Sequence, residues 1–341
     1  MNKNTPHRVL IPVTMLAPKA LPGDAQLAQL SGATMGTRWH VKLMHPSHLS
    51  QDELQAGIQQ ALDLVVTQMS HWEADSALSR FNAAPAGSWH TLPAELFKVL
   101  DYALFIAQQS AGAFDPGIGR LVNLWGFGPE QKQLAQPAAE TIRQALQAGG
   151  WQQLQVDRSQ QRAYQAGGVH LDFSGIAKGF GVDQVARYLE AQGIHSYLVE
   201  VGGELRGLGC KPDGSPWWTT LEHPDTAYTD HTIVALHGLA VATSGDYRRY
   251  VEQDGQRYSH TIDPRTGSPV VHSLASVTVL HADCMAADAH ATAIMVLGPQ
   301  RGLAYAEQWQ LPCLLISRSN SNHDTPGFSE TMSSAMQAML H

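Results

Sequence analysis

Residues 172–201 read DFSGIAKGFGVDQVARYLEAQGIHSYLVEV, and the fold class turns on how this stretch is parsed. An aspartate leads a turn of small residues, and the turn delivers Lys178 to the opening of a helix. Val182, Val185, Ala186 and Leu189 recur on one side of that helix, Gly193 supplies its stop, and SYLVEV at 196–201 reads as a strand. Upstream, TRWHVKLM at 37–44 alternates as a strand. A helix follows, opened by Ser50 and Glu53 as a capping box and marked by Leu54, Ile58, Leu62, Val65 and Met69. Two more helices run from Pro93 to Gly112 and over about 137–148. Downstream come strands at 232–237, 239–243 and 275–281, helices at 285–297 and 300–309, and a strand at 313–318. Helices and strands mix without a strict βαβ rhythm, which predicts an α+β fold over a doubly wound sheet.

The chain has 341 residues, ample for a substantial core, and its formal charge of -8 comes without any basic run. That excludes the electrostatic footprint of a nucleic-acid binder, so no nucleic acid is expected as a partner. An anionic ligand would therefore need local positive potential from a metal, a lysine or backbone N–H groups. Cys210, Cys284 and Cys313 are widely spaced and form neither a disulfide framework nor a zinc ribbon. No stretch approaches the roughly 18–20 apolar residues of a membrane span. Segment 8–22 has a short apolar run broken by Pro12 and Pro18, with no cysteine to take a lipid and no clean cleavage site. Residues 1–28 are thus expected to be a flexible lead-in before a domain over 29–341. The compartment expected is cytoplasmic, the alternative being periplasmic and associated with the inner membrane.

Several segments carry candidate chemistry. The 172–178 turn offers backbone carbonyls to a hard cation, helix N–H groups to phosphate, and Lys178 as a compact charge for a pyrophosphate. The plainer alternative has Asp172 capping the helix and Lys178 in solvent. CMAADAHATAIMVLG at 284–298 sets Asp288 and Thr292 one turn apart, so both oxygens face one way, a partial ligand set for Mg²⁺. Against this stands an exposed aspartate with a threonine bonded back to its own helix. RYSHTIDPRTGSP at 257–269 puts His260 in a strand-like run before a turn, where an imidazole could take a proton from a hydroxyl. With 17 histidines in the chain, a structural role competes. AFDPGIGRLVNLWGFG at 113–128 is rich in glycine and aromatics; Phe114 and Trp125 either stack on a flavin or adenine, or pack the core. Met35 and Trp72 carry the same ambiguity, and VGGE at 201–204 either lets backbone approach a ligand or merely turns a strand. His281, Cys284 and His290 match no familiar zinc spacing.

Taken together, seven segments in order resemble the FAD:protein FMN transferase (ApbE) family. They are GATMGTRWHV, SHWEADSALSRFN, GAFDPGIGRLVNLWGFG, DFSGIAKGFGVD, YLVEVGGELRGLG, TSGDYRRYVEQDGQRYSHTIDPRTGSPV and ADAHATAIMVLG, spanning about Gly32 to Ile316. The resemblance implies a duplicated, T-fold-like α+β core with mixed, largely antiparallel sheets and packed helices. It implies metal ligation by the Gly175 carbonyl, the Asp288 carboxylate and the Thr292 hydroxyl. It implies FAD contacts from Met35, Trp72, Ala113, Phe114, Asp115, Asp172, Lys178 and Ile262, with His260 as general base. Many relatives carry alanine where this chain has Gly175, and some carry a second carboxylate where it has Ala291.

The implied reaction moves FMN from FAD onto a serine or threonine hydroxyl of an acceptor protein, with Mg²⁺ as cofactor and AMP as leaving group. The implied acceptor is a flavoprotein subunit of a membrane redox complex with an S/T-G-A-S/T-like motif. Two alternatives remain at this stage: an FAD pyrophosphatase that releases FMN and AMP, and a non-catalytic flavin-binding protein.

Overall fold

The computed structural model describes residues 8–15, 17–130, 136–225, 228, 230–246, 250–253, 256–319 and 327–341. Its frame is an eight-stranded antiparallel sheet whose strands lie side by side in chain order. They are β1 (Gln26–Thr34), β2 (Thr37–His45), β3 (Tyr197–Val201), β4 (Glu204–Leu208), β5 (Leu239–Gly245), β6 (Leu274–His281), β7 (Cys313–Ser319) and β8 (Gly327–Met332). The main helices are α1 (Gln51–Met69), α2 (Ala94–Gln109), α3 (Ala177–Ala191) and α4 (Cys284–Gln308). Two units repeat a plan: a hairpin, a helical connection, a second hairpin. β1–β2 leads through α1 and α3 to β3–β4, and β5–β6 leads through α4 to β7–β8. This is the duplicated α+β core that the resemblance implied, with β4 and β5 joining the halves.

Alternation explains the packing. Trp39, Val41 and Leu43 of β2 lie opposite Val201, Val199 and Tyr197 of β3, and all six are buried against Ile58 and Leu62 of α1 and Val182, Val185 and Leu189 of α3. β6 is buried on both faces: Val277 and Val279 meet α4, while Leu280 joins Leu10, Trp217 and Leu236 on the reverse side. Hence LASVTVLH is buried along almost its whole length, with only Ser276 and Thr278 polar among its seven buried residues.

Over residues 284–296 α4 is largely apolar because it is buried on nearly every side, touching clusters through Met285, Ala289 and Ala293 on one side and Ala287, Ala291 and Ile294 on another. Its two expected pieces run together across a kink at Gly298 (φ 79°) and Pro299, where the proline ring cannot sit in a continuous helix interior. A Cβ on Gly298 would lie 3.0 Å from the His272 ring.

Two expectations need correcting. Ser50 is the N-cap of α1, but its side chain makes no capping bond, so the capping box does not form; Asp52 and Glu53 sit instead in the first turn, where the helix dipole favours them. Segment 1–28 is not uniformly loose. Arg8–Leu10 pairs in parallel with Thr232–Leu236, which pairs with Trp217–Thr220, and Leu10 is fully buried. Residues 1–7 and 16 of that segment lie outside the described residues. Among the described residues, no helix is long and apolar enough to cross a membrane.

Candidate active site

The sheet register places the site. β4 and β5 pair Leu205 with Val241, so Glu204 and Ser244 stand at the same end of the sheet. Leu205 and Val241 pack on the reverse face, and by alternation Glu204 and Ser244 face the helices. Onto this end fold the 172–176 turn, the start of α3 and the first turns of α4.

Two close approaches hold these pieces together. A Cβ on Gly179 would fall 2.4 Å from the Cys284 carbonyl oxygen and 2.9 Å from the Asp288 Cβ, so only glycine lets α3 and α4 meet here. A Cβ on Gly175 would lie 2.8 Å from the Thr292 hydroxyl oxygen. Consequently the Thr292 hydroxyl is 3.5 Å from the Gly175 carbonyl oxygen and 3.2 Å from the Ser244 hydroxyl. Across 109 residues of sequence, the Gly179 N–H donates to Asp288 Oδ2 at 3.0 Å.

Asp288 is buried, and burial raises its pKa against the opposing pull of Lys178 and the Gly179 N–H. The exposed-aspartate alternative is therefore set aside. Lys178 forms an ion pair with Glu204, whose side chain is 3% exposed while that of Lys178 is 32% exposed. The lysine is thus the more exposed partner and the carboxylate the more deeply enclosed one. Burial alone would push the Lys178 pKa down, but Glu204 and Asp288 outweigh it and hold the amine charged. Burial also pushes Glu204 up to about 7, against the opposing effect of Lys178.

The remaining expected site residues divide between this end and its flanks. Asp172 does not cap α3, whose N-cap is Ile176; it closes a turn by accepting the Ser174 N–H at 2.8 Å, with His71 Nδ1 3.9 Å away. Its own N–H donates to the Pro116 carbonyl, tying the turn to the 113–116 loop. Asp115 is spent within that loop, accepting the Gly117 N–H at 2.7 Å; burial raises its pKa to about 6, opposed by the Gly117 and Trp151 N–H groups. Ala113 and Phe114 are buried, and their N–H groups donate to the Ser110 carbonyl and hydroxyl respectively. Met35, at φ 47° in the β1–β2 turn, lays its methyl over Gly181 of α3. Trp72 is 54% exposed beside the His71 ring.

Ile262 packs with Leu121 and Trp125, and Trp125 Nε1 donates to the Gly267 carbonyl at 2.8 Å, fixing the Ile262–Asp263 hairpin. His260, two residues before Ile262, meets the Phe127 ring edge-on at 6.4 Å. Of the motif that leads to it, Tyr247–Arg249 and Asp254–Gly255 lie outside the described residues. The zinc alternative fails on contacts: His290 Nδ1 is bonded to the Tyr305 hydroxyl, and Cys284 points its thiol at the Leu205 carbonyl.

With this geometry in place, the comparisons with known proteins are direct. A family model described as the ApbE family matches residues 35–315. The chain belongs to the ApbE family. An FAD:protein FMN transferase of Vibrio cholerae is 40% identical over 318 residues, covering 93% of each chain. One of Haemophilus influenzae is 37% identical, covering 97% of this chain and 96% of that one. The apo crystal structure of Pseudomonas stutzeri flavinyl transferase ApbE superposes with a TM-score of 0.85 at 39% identity, covering 92% of this chain and 97% of that one.

The ApbE motifs quoted from the sequence also contain residues whose part shows only in three dimensions. Asp183, fully buried in α3, accepts the Cys284 and Met285 N–H groups at 3.0 and 2.9 Å and pairs with Arg206 of β4. It caps α4 from another helix and sets Asp288 at its depth. Glu204 ends the VGGE stretch read as weak. No local pattern marks either residue, because each acts on partners distant in sequence.

The donor set suits a magnesium ion. It offers a buried carboxylate, a hydroxyl and a main-chain carbonyl, all hard oxygens, beside a second buried carboxylate, Glu204, whose Oε2 has no partner. Among the described residues, no three His, Cys, Asp or Glu side chains form an all-protein metal cage. The oxygen set here is not of that kind, since two of its three donors are a hydroxyl and a main-chain carbonyl.

Proposed function

We propose that the chain is an FAD:protein FMN transferase that moves FMN from FAD to a serine or threonine hydroxyl of an acceptor protein, with Mg²⁺ as cofactor and AMP released. The observation that carries the flavin transferase reading is the end-to-end match to relatives of that name at about 40% identity. The convergence of Gly175, Lys178, Asp288 and Thr292 at one end of the sheet supports the finer chemistry.

In this reading Asp288, Thr292 and the Gly175 carbonyl hold Mg²⁺, which when bound supplies charge neutralisation to the pyrophosphate oxygens. Lys178 adds a second positive charge from its place above Glu204. Trp72, Met35 and Ile262 flank the flavin and orient the FMN half. His260 takes the proton of the acceptor hydroxyl as that oxygen bonds to the FMN-side phosphorus. The phosphorus–oxygen bond to the AMP half breaks, and AMP leaves. The acceptor is a flavoprotein subunit of a membrane redox complex with an S/T-G-A-S/T-like motif.

The test is mass spectrometry of an acceptor fragment incubated with the protein, FAD and Mg²⁺. A covalent gain of one FMN supports transfer, whereas FMN and AMP released without that gain assign the pyrophosphatase reaction. His260→Ala is expected to cut transfer by roughly 10²–10⁴-fold, as loss of a general base does, with FAD binding retained. Full flavinylation by that variant removes His260 from the role.

A further inference from the structure

Beneath Lys178 lies a carboxylate that the chemistry above does not use. Glu204 opens β4 directly after the Gly202–Gly203 turn and faces the helices. Its Oε1 is engaged by the Lys178 ammonium. Its Oε2 is buried and receives no hydrogen bond. Residue and side chain are almost fully enclosed, at 2% and 3% exposure. An acceptor so enclosed lacks a donor that the protein itself does not supply.

The charges point the same way. Two buried carboxylates, Glu204 and Asp288, share one ammonium, Lys178, which feels both. With both ionised the cluster carries net negative charge, a state that burial opposes and a cation relieves. Besides the Thr292 hydroxyl, α4 offers no second carboxylate beside Asp288: position 291 is a fully buried alanine, and the thiol of Cys284 points away to backbone carbonyls. A hard cation held by Asp288, Thr292 and Gly175 keeps several waters, and their protons are the donors a free carboxylate oxygen accepts.

We propose that Glu204 is the second carboxylate of the cation site, its Oε2 accepting a hydrogen bond from cation-bound water while its Oε1 steadies Lys178. The proposal rests on the cation site assigned above, and Glu204 acts in it as a positioning residue. Asp288 binds the ion directly; Glu204 fixes the outer water and balances the charge.

The experiment is titration of the whole protein with Mn²⁺, followed by electron paramagnetic resonance, with ADP present to supply a pyrophosphate. The variants are Glu204→Gln and Asp288→Asn. Glu204→Gln is expected to weaken Mn²⁺ binding about 10- to 100-fold at a nearly unchanged melting temperature, the usual loss for an outer-shell ligand. Asp288→Asn is expected to weaken it at least as much.

A wild-type dissociation constant in Glu204→Gln, with Asp288→Asn impaired, overturns the role of Glu204 and leaves the cation site standing. An unchanged constant in Asp288→Asn overturns the site itself. If Glu204→Gln loses stability yet binds Mn²⁺ normally, the residue is structural and the proposal fails. Should Glu204→Gln not fold, Glu204→Asp decides: it keeps the charge but draws the oxygens back by one methylene. Severalfold weaker binding then supports the proposal, and a wild-type constant overturns it.

Discussion

The two ends of the site are built differently. At the charged end, Lys178, Glu204, Ser244, Asp288 and Thr292 come from the central sheet and the two helices that cross it, Gly175 comes from the turn before α3, and most are held by contacts less than 3.5 Å long. At the aromatic end, Trp72, Phe127, His260 and Ile262 come from loops and a two-residue hairpin steadied by a small cluster around Trp125. The first end is part of the core and the second is laid upon it. A substitution at the charged end therefore disturbs backbone geometry and charge together, whereas one at the aromatic end removes a contact and leaves the frame intact.

The sharpest break in that contrast is Asp288→Ala. It is expected to lower transfer by roughly 10³-fold or more, the scale on which loss of a charge-stabilising ligand is felt. Because Asp288 also accepts the buried Gly179 N–H, the metal-free protein should lose about 1–3 kcal/mol of stability as well. Mass spectrometry of the acceptor and a thermal melt without metal read the two effects separately. Substantial transfer by this variant at saturating Mg²⁺ would sink the assignment of Asp288.

Next in size is Gly179→Ala, a single methyl at the α3–α4 crossing. Its Cβ would meet backbone rather than a flexible side chain, so the helices must part. Overpacking of this kind costs about 3 kcal/mol, and it would also separate Lys178 from Asp288. Chemical denaturation should show the loss; an unchanged midpoint would mean that the crossing is soft and the contrast between the ends overstated.

A smaller effect appears in acid. His290, two residues beyond Asp288 on α4, has its pKa pushed down to about 3 by burial, with His281 adding to the shift. A histidine depressed in the folded state contributes stability that is full above its unfolded pKa of about 6.5 and is lost as pH falls toward 3. Between about pH 7 and pH 4.5 the loss should be on the order of 2 kcal/mol. His290→Asn should flatten that part of the stability–pH curve; parallel curves for the two proteins would show that His290 does not control it.

How much of this was legible in sequence follows the same division. α1, α3 and α4 announce themselves because each buries a long apolar face, and Asp288 with Thr292 stands out as polar atoms at one-turn spacing in an apolar helix. β4 is hidden by Gly207 within it and the Gly202–Gly203 turn before it, and β1 falls partly inside a segment read as a lead-in. Glu204 and Asp183 could not be read locally: one answers to a lysine 26 residues away, the other caps a helix 101 residues away. Ala113 and Phe114 mark a different limit. The motif singles them out, yet their side chains are buried and their N–H groups donate to Ser110, which a sequence alone does not show.

The mildest prediction tests the aromatic end on its own. Trp72 is 54% exposed and lies beside the neighbouring His71 ring. Trp72→Ala should therefore leave the melting temperature nearly unchanged, since little buried area is lost. If the indole stacks on the flavin, its removal should cost about 1 kcal/mol of binding, a severalfold rise in the FAD dissociation constant with the rate at saturation preserved. Fluorescence quenching of FAD and single-turnover transfer separate these terms. A fall in the saturated rate larger than the rise in the dissociation constant would mean that Trp72 shapes the transition state, and that the aromatic end is no mere platform laid on the core.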